Sequence, residues 1–390
     1  ECVKHRKGII DLTIGIPHFQ LNEELLSQVL TSVSLSSTRP REYHLYANMQ
    51  GNVAFREAIA DRYFETHGIT VDPQREVLVT NGATGALFLI LFSLLNPEEA
   101  VVLTDPCYAV YWSITSLLAA RVIPVKTEAT NGFKVTLAQL QRTLPPSAKL
   151  FIINSPCNPT GAVYAPEELK QIMDFAASKK MFVVQDEVTE NTVFDDIKYT
   201  PIRKFDKDGF AILVGSLSKS FALTGWRLGW IIACPEIISL LTSVHASISS
   251  SINNFAQYVG AAALRSHLAR EICSNAREEY SRRRNEIIHK LEQIDGVRFS
   301  SYPKGTFYLF PDIRGFYKKN FDEIERLVKN ASPANNPFIE IGSNFGSLLQ
   351  SPSKSVAFYL LEKTNVAVIP GIYYGSQGEG HIRISYAGRE

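Results

Sequence analysis

Between Glu76 and Ala233 short apolar runs alternate with longer amphipathic ones, and that alternation leaves few folds open. Val77–Thr80, Ala100–Thr104, Val122–Val125, Leu150–Asn154, Met181–Gln185, Ala211–Ser216 and Leu228–Ala233 read as strands. Asn81–Leu95, Tyr108–Ala119, Thr136–Thr143 and Pro166–Ser178 read as the helices between them. Several of the strands are continuous aliphatic and β-branched runs, the pattern of strands covered on both faces. Strands and helices in this order predict an α/β fold with a mostly parallel central sheet flanked by helices. Ligands of open α/β sheets bind at the carboxyl edge of the strands, so polar residues just past each strand are the first candidates for a site.

The remainder predicts a second, smaller α+β lobe. Residues 9–14 read as a strand ended by Gly15-Ile-Pro17, followed by a helix from Asn22 to Thr31, a loop over Ser34–Arg41 and an amphipathic helix over Gly51–Tyr63. In that last helix Val53, Phe55, Ile59 and Tyr63 fall toward one face. After Glu236 helices dominate, and the basic run Arg282-Arg-Arg284 in the helix Glu271–Gln293 reads as a solvated face. Val297–Ser301, Phe307–Pro311, Val366–Ile369 and His381–Ser385 read as strands of the smaller lobe. The polar stretch Phe316–Lys354 is expected to be a cover over a site. The expected division is 36–270 for the large α/β domain, with 1–35 and 271–390 forming the small one.

A net charge of +1 gives no argument for nucleic acid or an anionic membrane as a partner. No apolar run is long enough to span a bilayer, and the opening Glu1–Lys7 lacks the apolar stretch of a signal peptide. Five scattered cysteines offer neither metal spacing nor a disulfide framework, as expected of a cytoplasmic protein.

One lysine stands out. Lys219 lies in Gly215-Ser-Leu-Ser-Lys-Ser-Phe-Ala-Leu-Thr-Gly-Trp-Arg-Leu-Gly229, between two apolar segments. Desolvation there favours the neutral amine, a nucleophile for carbonyls. Ser216, Ser218 and Arg227 beside it suit a phosphate. An aldehyde and a phosphate on one ligand point to pyridoxal 5'-phosphate. Other strand ends carry matching chemistry. Gly82-Ala83-Thr84 opens a helix, where backbone N–H groups and the helix dipole favour a phosphate. Tyr108 follows Asp105-Pro-Cys and can stack on a ring. Asn158 is held in Asn154-Ser-Pro-Cys-Asn-Pro-Thr-Gly161, and Asp186 ends an apolar strand where a carboxylate needs a partner. Arg383 suits bidentate capture of a carboxylate.

In their order along the chain these motifs resemble the pyridoxal-phosphate-dependent class I and II aminotransferases of fold type I. Asn158-Pro-Thr-Gly161, Asp186-Glu187 and the Lys219 stretch carry the resemblance, supported by Gly15-x-Pro17, Tyr46-x4-Gly51, Gly305-Thr-Phe-Tyr308 and Pro370-Gly371. The resemblance implies that Lys219 is the Schiff-base lysine and proton carrier, that Asp186 pairs with the pyridinium nitrogen, Asn158 with the phenolate oxygen, and that Tyr108 stacks on the ring. Gly82, Ala83, Thr84, Ser216, Ser218 and Arg227 would hold the phosphate. Tyr46 would reach the phosphate of a neighbouring subunit in a homodimer with shared sites. Arg383, with Gly15 and Asn158, would bind the α-carboxylate of an amino acid substrate.

Two positions depart from the family's pattern. Thr189 stands where the family usually has a tyrosine that donates to the phenolate, and its side chain is too short for that bond. His18, in Gly15-Ile-Pro-His-Phe19, falls at the expected substrate mouth. Transamination is the expected reaction. Elimination or cyclisation of a β- or γ-substituted amino acid, such as a hydroxyarginine, is the alternative that these departures open.

Overall fold

Residues 8–19, 27, 30–31, 43–330 and 348–388 are described by the computed structural model. In chain order the first half contains β1 (Ile10–Asp11), α1 (Val53–His67), β2 (Val77–Asn81), α2 (Gly82–Leu94), β3 (Ala100–Asp105), α3 (Ala109–Leu117), β4 (Arg121–Lys126), α4 (Leu137–Thr143), β5 (Ala148–Asn154), α5 (Pro166–Ser178) and β6 (Phe182–Asp186). The second contains β7 (Ala211–Ser216), α6 (Leu217–Ser220), β8 (Leu228–Ile232), α7 (Pro235–Ser249), α8 (Asn254–Arg265), α9 (His267–Glu292), β9 (Tyr308–Leu309), α10 (Arg314–Lys319), α11 (Phe321–Lys329), α12 (Pro352–Thr364), β10 (Val366–Ala367), β11 (Ile369–Pro370) and β12 (Ile382–Ser385).

The seven strands expected between Val77 and Ala233 form one sheet in the order β2-β8-β7-β6-β5-β3-β4. All run in one direction except β8, which is antiparallel to both β7 and β2. Successive side chains point to opposite faces of a strand, so each apolar run feeds two cores at once. Val79, Phe151, Val183, Leu213 and Trp230 face one layer with Phe55, Leu169 and Val259. Leu78, Ile152, Val184, Val214 and Ile231 face the other with Leu87, Tyr111 and Leu241. Burial of each such side chain is worth about 1.5–3 kcal/mol, which is why the strands show no polar alternation.

A second core gathers Phe307, Leu309, Ile324, Val328, Phe358 and Ile384 around the antiparallel sheet β11-β12-β9. The N-terminal strand pairs with β10, Ile10 opposite Val366. From there the chain runs along β12, with the Ser385 N–H donating to the Leu12 carbonyl.

Several expectations are corrected. Val53 is 42 % exposed, since it lies in the first turn of α1 ahead of the buried stripe Phe55, Ile59 and Tyr63. Val297–Ser301 is not a strand; Arg298 makes a single bridge to Asp312. Arg284 is not part of a solvated face. It is buried, forks onto Asp195 (2.6 and 2.9 Å) and stacks over Phe194 at 4.7 Å. The start of the polar stretch 316–354 is helical. There Ile324 and Val328 are fully buried, and Glu323 pairs with Lys363 and Tyr359 of α12. These helices pack into the second core, and none of their residues lines the site below. Residues 331–347, the loop at Ser34–Arg41 and most of the helix expected over 22–31 lie outside the described residues, although Ser27, Leu30 and Thr31 are helical.

Candidate active site

A cavity of about 460 Å³ opens at the carboxyl edge of the large sheet. Each strand end adds a side chain or a turn. The passage from β2 into α2 brings Ala83 and Thr84, β3 is followed by Tyr108, β5 by Asn158, β6 ends on Asp186, and β7 leads through Ser216 and Ser218 to Lys219. Because β8 runs backwards, its first end lies at this same edge, and Arg227 joins the lining. Arg383 on β12 and Gly15 on the N-terminal segment close the opposite wall.

The phosphate-friendly end is built by close approach. Gly82 has φ +68°, and a Cβ there would sit 2.6 Å from an Arg227 guanidinium nitrogen. A Cβ on Gly229 would sit 2.7 Å from the Ala83 nitrogen. Two glycines therefore let the arginine and the first turn of α2 meet, which concentrates N–H donors and positive charge on one spot. The Ser216 hydroxyl donates to the Leu228 carbonyl at 2.8 Å and accepts from the Ser218 N–H at 3.0 Å, which fixes the turn before Lys219.

Lys219 is drawn down to about 8, first by burial and then by the positive charges of Arg383 and Arg227. Near neutral pH it therefore supplies an amine nucleophile that can also take up a proton. Its Nζ donates to the Gly15 carbonyl at 2.6 Å. Gly15 has no room for a side chain, because the Tyr308 hydroxyl occupies the place of its Cβ.

Asp186 is buried, and burial raises its carboxyl; the Tyr111 hydroxyl (2.6 Å) and the Val188 N–H (3.3 Å) act against that rise. Among the described residues it has no cationic partner, so a protonated ring nitrogen fits it. The Asn158 Oδ1 accepts from Arg383 at 3.1 Å, which leaves its amide N–H groups as the donors it can offer. Tyr108 meets Tyr111 edge-on at 5.5 Å, and burial followed by the Asp186 charge raises its hydroxyl.

Arg383 is buried with its guanidinium 4.3 Å over the Tyr308 ring and 5.3 Å from the Tyr374 ring. It also donates to the Thr13 carbonyl. Among the described residues no carboxylate pairs with it, and its buried Nε–H meets no acceptor. A planar cation held between two aromatic faces with an open donor suits a ligand carboxylate.

Of the expected residues, Gly82, His18 and Tyr46 are not part of the cavity lining, Tyr46 being expected at the site of a neighbouring subunit. His18 does not line it, because its backbone N–H donates to the Ala387 carbonyl and carries the chain past the mouth. Tyr46 is 88 % exposed and away from this site. Thr189 does line the cavity, and its hydroxyl donates to the Pro156 carbonyl at 3.3 Å. Tyr111, Tyr308, Tyr374 and Asn154 were not singled out as site residues. Tyr111 was findable: it is three residues after Tyr108 on a helix, which puts both on one face.

The chain resembles known proteins along nearly its whole length. The model of the family "Aminotransferase class I and II" matches residues 7–390. An aspartate aminotransferase of Pyrococcus horikoshii is 30% identical over 99% of this chain and 88% of its own length. Aromatic-amino-acid aminotransferase 2 of Thermococcus litoralis is 29% identical over 98% of this chain and 88% of its own. Among solved structures, the aromatic aminotransferase from Pyrococcus horikoshii superposes with a TM-score of 0.81 at 29% identity, covering 98% of this chain and 92% of its own. The chain belongs to the class I and II aminotransferase family.

Proposed function

We propose that this protein uses pyridoxal 5'-phosphate to move the amino group of an L-amino acid to a keto acid. The observation that carries the reading is the convergence of Lys219, Asp186 and Arg383 on one cavity, beside an anion cradle made by α2 and Arg227. The bound cofactor supplies an aldehyde and an electron-accepting ring. The α2 N-terminus, Ser216, Ser218 and Arg227 would hold its phosphate, Tyr108 would stack on its ring, and Asn158 would donate to its phenolate oxygen. Asp186 would hold the ring nitrogen in its protonated form. Arg383 would hold the substrate α-carboxylate with Asn158 and Gly15 nearby, and Lys219 would remove the Cα proton of the donor amino acid and deliver a proton to the Cα of the acceptor keto acid. Relatives named for aspartate and for aromatic amino acids make L-aspartate and L-phenylalanine the first donors to try.

Elimination or cyclisation is not favoured, since the relatives are aminotransferases. The exposure of Tyr46 supports its assignment to the site of a second copy in a homodimer. Separate apolar cores support a large unit at 36–270 and a small one from 1–35 and 271–390. Among the described residues no helix is long and apolar enough to cross a membrane.

Lys219→Ala should remove the visible absorbance of the lysine-bound cofactor and lower turnover by at least roughly 10²–10⁴-fold. Unchanged turnover would overturn the assignment. In a single turnover without acceptor, the wild-type protein should yield keto acid and no ammonia. Ammonia release would overturn transamination.

A further inference from the structure

Asp105 lies outside every role assigned above, yet it ties the wall that carries Arg383 to the wall that carries Tyr108. It ends β3, is 3 % exposed, and has both carboxylate oxygens committed to one loop. Its Oδ2 accepts from the Ser376 hydroxyl at 2.6 Å and its Oδ1 from the Gln377 N–H at 2.9 Å. The carboxylate reaches that far in because Gly375, at φ +129°, has no Cβ to collide with it.

That loop is the connection between β11 and β12. Its Tyr374 carbonyl accepts from the Cys107 N–H at 2.8 Å and from the Trp112 indole at 3.3 Å, both just beyond Asp105. Its Tyr374 ring forms one of the two aromatic faces against the Arg383 guanidinium. The loop then closes on itself, with the Gly371 N–H donating to the His381 carbonyl at 2.8 Å, and leads directly into the strand of Arg383. The small sheet carries Arg383, and the large sheet carries Tyr108 and Asp186. A buried carboxylate with charge-assisted bonds to a backbone N–H and a hydroxyl is a short, stiff link between them.

We propose that Asp105 is a positioning residue that sets the distance between the carboxylate-binding arginine and the cofactor-facing edge of the large sheet. Asp105 touches neither substrate nor cofactor and acts through the loop and Tyr374. This inference rests on Arg383 binding the substrate α-carboxylate.

The test is a double-mutant cycle on the holoenzyme. Asp105→Asn turns an amide N–H₂ toward one of the two donors it must accept from, and Ser376→Ala breaks the same link from the loop side. Each is made in the wild-type and the Arg383→Lys backgrounds. The readouts are KM and kcat with L-aspartate and L-phenylalanine, and the dissociation constants of succinate and 3-phenylpropionate, carboxylates without an amino group.

Misplacing a binding group by a fraction of an ångström to one ångström weakens its contact by roughly 10- to 100-fold. Asp105→Asn should therefore raise KM and the carboxylate dissociation constants by about tenfold or more in the wild-type background, and by less than about twofold beside Arg383→Lys. Ser376→Ala should give a smaller shift in the same direction, with kcat and cofactor retention little changed, and serves if Asp105→Asn does not fold. Equal losses in both backgrounds, or unchanged carboxylate affinity, would overturn the inference. If Arg383→Lys alone changes neither KM nor carboxylate affinity, the assignment of Arg383 fails instead, and this inference fails with it.

Discussion

Asp186 and Glu187 are neighbours, both buried, both carboxylates that burial raises, and they do opposite things. Along β6, residues 182, 184 and 186 face the layer with Tyr111, while 183 and 187 face the layer with Tyr63 and Trp230. Asp186 has one hydroxyl partner and opens onto the cavity. Glu187 has two, the Tyr63 and Tyr199 hydroxyls, and opens onto nothing. Tyr63 is in turn held by the Trp230 indole at 3.2 Å. One carboxylate is left incomplete by the fold and the other is completed by it. Polar satisfaction, more than burial or charge, separates a group available to a ligand from one that locks packing.

The largest break in this comparison should come from Asp186→Asn. Under the proposed function Asp186 pairs with a protonated ring nitrogen, and removing one partner of such a buried pair costs about 3–5 kcal/mol, or roughly two to four orders of magnitude in turnover. Thermal unfolding should move little, and a variant that instead unfolds would place Asp186 with the packing groups. Tyr111→Phe takes away the hydroxyl that favours the charged form of Asp186. A hydrogen bond to a charged group is worth about 1.5–3 kcal/mol, so turnover should fall by roughly 10- to 100-fold with the protein still folded.

Glu187→Gln should do the reverse, sparing turnover and lowering stability by about 1–3 kcal/mol at pH 5. Its pH dependence sharpens the contrast. Burial lifts the Glu187 carboxyl to about 8 from an ordinary 4.5, so the folded chain keeps a proton that the unfolded chain releases. The stabilisation is complete below 4.5, declines as pH rises from there toward 8, and is lost above 8. The stability gap between wild type and Glu187→Gln should therefore narrow from pH 5 to pH 9 in thermal melts. A gap that widens would show that the two tyrosines hold an ionised carboxylate.

The large sheet was legible because its inner strands are nearly uniform apolar runs, while the edge strand β4, Arg121–Lys126, is mostly exposed or half-buried. Lys219, Asn158 and Asp186, which the structure brings to one cavity, were legible because each is polar at or just past the end of such an apolar run, and Arg383 because it is a charged residue inside a short apolar strand. His18 is absent from the cavity lining, which sequence proximity to Gly15 does not reveal, since it does not say which way the chain turns. Arg284 was misread within a basic triplet because helix rotation buries one arginine of three, and its partner Asp195 is 89 positions away in sequence. Asp105 gave no local sign of its partners, since Ser376 lies 271 positions on. Residues whose role depends on a distant loop cannot be read from periodicity, which reports only the neighbourhood along the chain.

The reversed strand β8 has a consequence for how this chain can change over time. Lys219 and Arg227 share a site because residues 217–227 leave the end of β7 and return to the same edge, where Ser216 pairs with Gly229. A slip of β8 by one position would turn Trp230 from its core layer to the opposite face, so β8 holds its register and a change of length must be absorbed within residues 217–227, which would move Lys219 relative to Arg227. Substitutions in this connection can be sampled one at a time, but a change of length disturbs the spacing of these two residues. Lineages descending from this protein should vary the side chains of the segment while holding the number of residues between lysine and arginine constant.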